Sequence, residues 1–258
     1  MKNNCVVNYG LLGLMVLFSG LTTDAAVIVS TVSVTNLAGA AASHSPSFSR
    51  DGRHLVFLSH ANNLVTNDSN RAFLDVFRYD LATGSLTMAS VSSSRTGGGD
   101  ADSAHASISS DGRFVAFASA AGNLVHGDIN NASDAFVRDM ESQTTMLVSV
   151  GLQDANACEP NPVGNLFRFT SPVISDDGRQ VVFESRATNL TTLSDTNGGT
   201  DIFIRNLELG TTRLASVSAD GSAAGNARSE LASMTQDARH VAFVSYANNL
   251  TEVVTNQG

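Results

Sequence analysis

Three loops carry the side chains best suited to chemistry. Asp68, Asn70 and Asp75, then Asp128, Asn130 and Asp134, then Asp195, Asn197 and Asp201 repeat one order: Asp-x-Asn followed a few residues later by Asp. Calcium takes six to eight hard oxygens, and alternate carboxylates and amides on a tight loop can converge on one ion. These nine residues are therefore the candidate metal ligands, and calcium is the one cofactor the sequence suggests. In the third copy, "DTNGGTDIFIRN", position 6 is not Gly and position 12 is not Glu, unlike a helix-loop-helix calcium site. The same residue types also form Asx turns, which hydrogen-bond the backbone where a strand begins. Both readings stand at the level of sequence.

No catalytic constellation accompanies them. The six His residues, at 44, 54, 60, 105, 126 and 240, show no metal-ligand spacing. A nucleophile elbow, a P-loop, His-Glu-x-x-His and Cys-x-x-Cys are all missing. Carboxylates at turns are too numerous to single out a glycosidase pair. No catalytic residue is assigned, and the expectation is a protein that is not an enzyme.

Residues 1–25 have the make-up of a secretory signal: Lys2, the apolar stretch "YGLLGLMVLFSGL", then small residues around Ala25. The apolar stretch is too short to span a bilayer, so no membrane span is expected and the chain should be periplasmic or secreted. Cleavage would remove Lys2 and Asp24, leaving 14 basic and 23 acidic side chains and the same net charge of −9. Such acidity, with Lys and Arg scattered, argues against nucleic acid as a partner. Cys5 falls in the signal, so Cys158 has no cysteine to pair with in the processed chain.

The elements that position the loops follow from an internal repeat. Asp-Gly-Arg occurs at 51–53, 111–113 and 177–179, and Asp237-Ala238-Arg239 completes the series. Six residues after each Asp stands a Phe: Phe57, Phe117, Phe183 and Phe243. Asn-Leu follows at 63–64, 123–124, 189–190 and 249–250, and a Ser-Val pair recurs at 90–91, 149–150 and 216–217. Each unit divides into four strands. "SPSFS" or "HASIS" leads to a hairpin in which Asp-Gly supplies positive φ angles. The apolar run "HLVFLS", "FVAFAS" or "QVVFES" follows, buried on both faces. After the Asp-x-Asn loop come "DVFRYDL", "DAFVRDM" or "DIFIRNL" and then "LTMASVS", "TMLVSVG" or "TRLASVS". Four antiparallel strands per unit, repeated in phase, predict an all-β fold, a β-propeller. Its repeated Phe residues belong in the core, and Arg53, Arg113, Arg179 and Arg239 should be partners for nearby Asp or form a solvated edge, the alternative being that they face a ligand.

The strings "SPSFSRDGRHLVF" and "SPVISDDGRQVVF", followed by "DVFRYDLATG" or "DIFIRNLELG", resemble the blade repeats of the TolB-like propellers. That resemblance implies exported bacterial proteins with four-stranded blades, and it extends to propellers attached to peptidase domains. The signal runs directly into "VIVSTVSVT", so no counterpart of the α/β domain that precedes the propeller in TolB is expected.

The predicted blades span about 37–92, 97–151, 152–218 and 219–258, the last incomplete, and "STVSVTN" within 27–36 matches a fourth strand that could close a ring. The Asp that opens a third strand falls due beyond Gly258, so the expectation is the front of a larger propeller. The expected function is an exported scaffold binding a protein or a cell-surface polymer. The alternative is the propeller domain of an exported hydrolase or peptidase, with its catalytic part beyond residue 258.

Overall fold

A computed structural model describes residues 39–70, 73–130, 132–152 and 172–251. The predicted signal, the 27–36 strand and Cys158 lie outside the described residues. The first sheet contains β1 (Ser43–Phe48), β2 (His54–Ser59), β3 (Asp75–Asp80) and β4 (Leu86–Met88). The second contains β5 (Ser103–Ile108), β6 (Phe114–Ser119), β7 (Asp134–Asp139) and β8 (Thr144–Leu147), and the third β9 (Val173–Ile174), β10 (Gln180–Ser185), β11 (Asp201–Asn206) and β12 (Thr211–Leu214). A fourth sheet pairs β13 (Ser229–Met234) with β14 (Val241–Ser245). Within each sheet the strands lie in chain order, every neighbour antiparallel.

The second strand of each of the first three sheets is buried on both sides, whereas β14 alternates between half-buried and exposed residues. In β2, Val56 and Leu58 join Phe117 and Phe136 of the second blade, whereas Leu55 and Phe57 form a separate cluster with Phe77. Between blades two and three, Ala116 and Val137 meet Val181, Phe183 and Phe203. Three of the four repeated Phe residues are core, Phe57, Phe117 and Phe183 being 1, 0 and 2 % exposed; Phe243, in the two-stranded fourth sheet, is only half-buried, contrary to expectation, because β14 is not covered on both sides. Each of the three core residues faces a Phe directly across the β2–β3-type ladder, with centroids 5.6, 5.9 and 5.7 Å apart in a stacked arrangement. Cross-strand aromatic pairs of this kind add to what area burial alone supplies.

Three details differ from the sequence expectation. The Asp of each Asp-Gly turn is not at positive φ; only Gly52, Gly112 and Gly178 are (69°, 75° and 70°), with Ala238 at 56° in the fourth copy. The Asp acts through its side chain instead. Its Oδ1 accepts from the hydroxyl two residues earlier (Ser49, Ser109, Ser175, Thr235) and from the backbone N–H of the Arg two residues later. The fourth strand is also shorter than predicted: β4 ends at Met88, before the Ser-Val pair. Finally, the first strand bulges in the first, second and fourth sheets, where Ser45, His105 and Leu231 take φ of 53°, 48° and 59°. A bulge bends a strand and increases its twist, which suits the innermost strand of a blade.

Consecutive blades are tied turn to turn. Asp51 N–H donates to Ser110 O (3.2 Å), Ser110 N–H to Asp176 O (3.1 Å) and Asp176 N–H to Gln236 O (2.9 Å). The hairpin turns of all four sheets are thereby gathered at one end of the array.

Candidate functional site

Each Asp-x-Asn loop folds into the same polar bracket at the entry to the third strand. Asp75, Asp134 and Asp201 are 1, 2 and 0 % exposed. Ser90, Ser149 and Ser216 donate to them at 2.6, 2.7 and 2.6 Å, and the Asn70, Asn130 and Asn197 amides donate at 2.9, 2.9 and 2.8 Å. Those serines in turn accept the N–H of Val76, Ala135 and Ile202 at 3.0, 3.1 and 3.0 Å, extending the ladder by side chain where the fourth strand has ended. Asn70 and Asn197 also donate to Gly99 O (2.8 Å) and Gly225 O (2.7 Å), beyond the fourth strand. One bracket therefore joins the third strand, the end of the fourth and the passage to the next blade. Gly98 is part of the fit, since a Cβ there would run into the Asn70 amide nitrogen.

Burial dominates the electrostatics of the bracket. It raises the Asp75 carboxyl above its ordinary range, opposed by the hydrogen bonds from Ser90 and Asn70, and pushes Asp201 up to about 6 against Ser216 and Asn197. In blades one and two the first Asp of the loop feels burial and then the second Asp, which takes Asp68 to about 7 and Asp128 to about 6. Blade one differs from its sisters. Asn130 Oδ1 accepts from Ala132 N–H and Asn197 Oδ1 from Gly199 N–H, whereas Asp68 Oδ1 and Asn70 Oδ1 are buried without a partner. Among the described residues no three of His, Cys, Asp and Glu gather to hold a metal. The serines are the bracket members to which sequence reasoning assigned no role; their signal was the in-phase Ser-Val pair.

The repeated arginines pair as expected. Arg113 holds Asp139 with two nitrogens (3.2 and 2.8 Å), Arg53 reaches Asp80 at 3.4 Å, Arg179 reaches Glu208 at 3.6 Å and Arg239 reaches Asp237 at 3.6 Å. His54 and His240 stand at one phase, immediately after the Arg. His54 is buried against Gly112 of the next blade, and burial holds its imidazole below the usual range.

Where the hairpin turns gather, those of the first, third and fourth sheets border an open cleft of about 640 Å³. Arg50, Asp176, Thr235, Gln236, Arg239 and His240 contribute to its walls. Arg50 spans from blade one to Asp176 of blade three at 2.6 Å. Guanidinium, carboxylate, amide and hydroxyl groups on a rigid collar of turns can grip a polar ligand by hydrogen bonds from several sides.

Four-stranded antiparallel meanders stacked face to face define a β-propeller array. TolB from Acinetobacter baumannii is among the solved structures similar to it, at 15 % identity and a TM-score of 0.46, covering 84 % of this chain and 40 % of TolB. The tricorn protease is similar at 13 % identity and 0.42, over 83 % of this chain and 16 % of the protease. The β-propeller domain of the trilobed protease from Pyrococcus furiosus is similar at 13 % and 0.38, over 67 % and 41 %. No family model matches the sequence, and no curated protein matches it. The chain spans well under half the length of these structures.

Proposed function

We propose that the protein is an exported, non-catalytic scaffold that binds a protein or a surface polymer in the cleft ringed by the hairpin turns. The observation that carries this reading is the convergence of Arg50, Asp176, Gln236, Arg239 and His240 from three blades on one space of about 640 Å³. Loops presented by a rigid sheet scaffold are where recognition is ordinarily placed. The test is equilibrium binding of the purified protein to a panel of envelope polysaccharides and envelope proteins. The panel should contain a saturable ligand that is recovered unaltered and is bound more weakly by Arg239→Ala. Turnover of any panel member would overturn the non-catalytic reading and favour a hydrolase or peptidase propeller.

A second reading places calcium at blade one. Among the described residues, Asp68 Oδ1 and Asn70 Oδ1 are the buried side-chain oxygens left without hydrogen bonds, and a cation would satisfy both. Excess calcium should then raise the melting temperature of the wild type and not of Asp68→Asn. An unchanged wild-type melting temperature removes the metal.

A further inference from the structure

A smaller cleft, of about 210 Å³, lies between blades one and two, remote in sequence from the turns that ring the larger one. Asn67, Thr87 and Met88 line it from blade one; Arg138 and Gln143 line it from blade two; Arg95 reaches in from the passage between them. Two arginines thus line one cleft, and among the described residues neither forms an ion pair. Arg138 is only 6 % exposed. Its Nη1 donates to Thr145 Oγ1 at 2.9 Å, but its Nε is buried without an acceptor. The nearest carboxylate in sequence, Asp139, is held by Arg113. Arg95 is exposed, sits at φ 59° and donates to Gln143 O at 3.1 Å, which pins it over the turn that follows β7. Burial and then the neighbouring Arg95 hold the Arg138 guanidinium below its ordinary value, outweighing the opposing charge of Asp139.

A buried charge without a partner is costly, and an arginine fork is shaped to take two oxygens of one anion. On a chain of net charge −9, a small cleft walled by two arginines and no carboxylate is unlike its surroundings. Blade three carries Arg205 at the register position of Arg138, bonded likewise to a threonine (Thr212 Oγ1, 3.0 Å), and blade one carries Tyr79; what sets Arg138 apart is its buried, unpartnered Nε and the second guanidinium of Arg95 beside it.

We propose that Arg95 and Arg138 form an oxoanion site that takes a carboxylate, sulfate or phosphate group in the cleft between blades one and two. The site is separate from the cleft of the proposed function and stands or falls without it. The experiment is calorimetric titration at low ionic strength with sodium acetate, sulfate and phosphate, using chloride as the reference, on the wild type and on Arg95→Gln. Because Arg95 is exposed, this variant should keep the wild-type melting temperature. The expected result is saturable binding of at least one oxoanion, weakened roughly tenfold in Arg95→Gln by loss of one charge-assisted contact. The anion preferred among the three names the group carried by the natural ligand. Equal titrations for wild type and variant, or no saturable binding of any of the three, would overturn the proposal. Arg138→Gln, checked for its melting temperature, should abolish the same binding; a folded Arg138→Gln that binds as the wild type does would also overturn it.

Discussion

Asp201 is fully buried, yet it keeps the hydrogen bonds of a serine and an asparagine, and this combination explains why the Asp-x-Asn pattern recurs. The serine is the more consequential partner, because it donates to the carboxylate and accepts Ile202 N–H at once. Ser216→Ala is expected to cost about 1–3 kcal/mol in urea denaturation by leaving two buried groups unsatisfied. A loss near zero would show that the bracket is not structural. At the rim, Asp139 is held at about 2 by Arg113 and by the backbone N–H groups of Glu141 and Ser142, against the opposing effect of burial. Its folded value lies below the ordinary 3.8, so its contribution to stability is complete above that pH and is lost as pH falls through about 2. Melting between pH 5 and pH 2 should therefore fall less steeply in Asp139→Asn than in the wild type (about three pH units of titration suffice).

At the scale of elements, the hairpin turn was legible because Asp-Gly-Arg repeats in phase, but the division of labour within it was not. Gly alone takes positive φ, while Asp bonds the flanking hydroxyl and the following N–H. Two of the three glycines at this turn differ in surroundings: a Cβ on Gly52 meets nothing within 4 Å, whereas one on Gly112 would strike the His54 ring. Gly52→Ala should cost about 1–2 kcal/mol from the left-handed backbone alone. Gly112→Ala should cost clearly more, because blade one's His54 must also move. Equal losses in thermal unfolding would show that the turn-to-turn contact is slack. The bulges at Ser45, His105 and Leu231 left no mark in the sequence, since a polar or apolar residue at positive φ there answers to the bend of the inner strand rather than to local propensity. The paired clefts escaped sequence reading for a related reason: Arg50 and Asp176, or Arg95 and Arg138, are brought together by blade stacking and by no common motif.

For the whole molecule, the repeat sets both the fold and the placement of function. Three meanders stack through the clusters around Phe117 and Phe183, and the turn-to-turn hydrogen bonds from Asp51 to Gln236 hold the hairpins of all four sheets in one collar. The polar brackets at the opposite ends of those strands serve the architecture, and the collar is where side chains from three separate blades share one cleft. That division is the central claim: brackets for folding, collar for binding. Its most direct test is isothermal titration of the tightest ligand from the envelope panel against wild type, Arg239→Ala and Ser149→Ala. The account predicts that Arg239→Ala weakens binding at unchanged melting temperature, while Ser149→Ala lowers the melting temperature and leaves affinity intact below it. Binding that survives Arg239→Ala and is lost in a folded Ser149→Ala would contradict it.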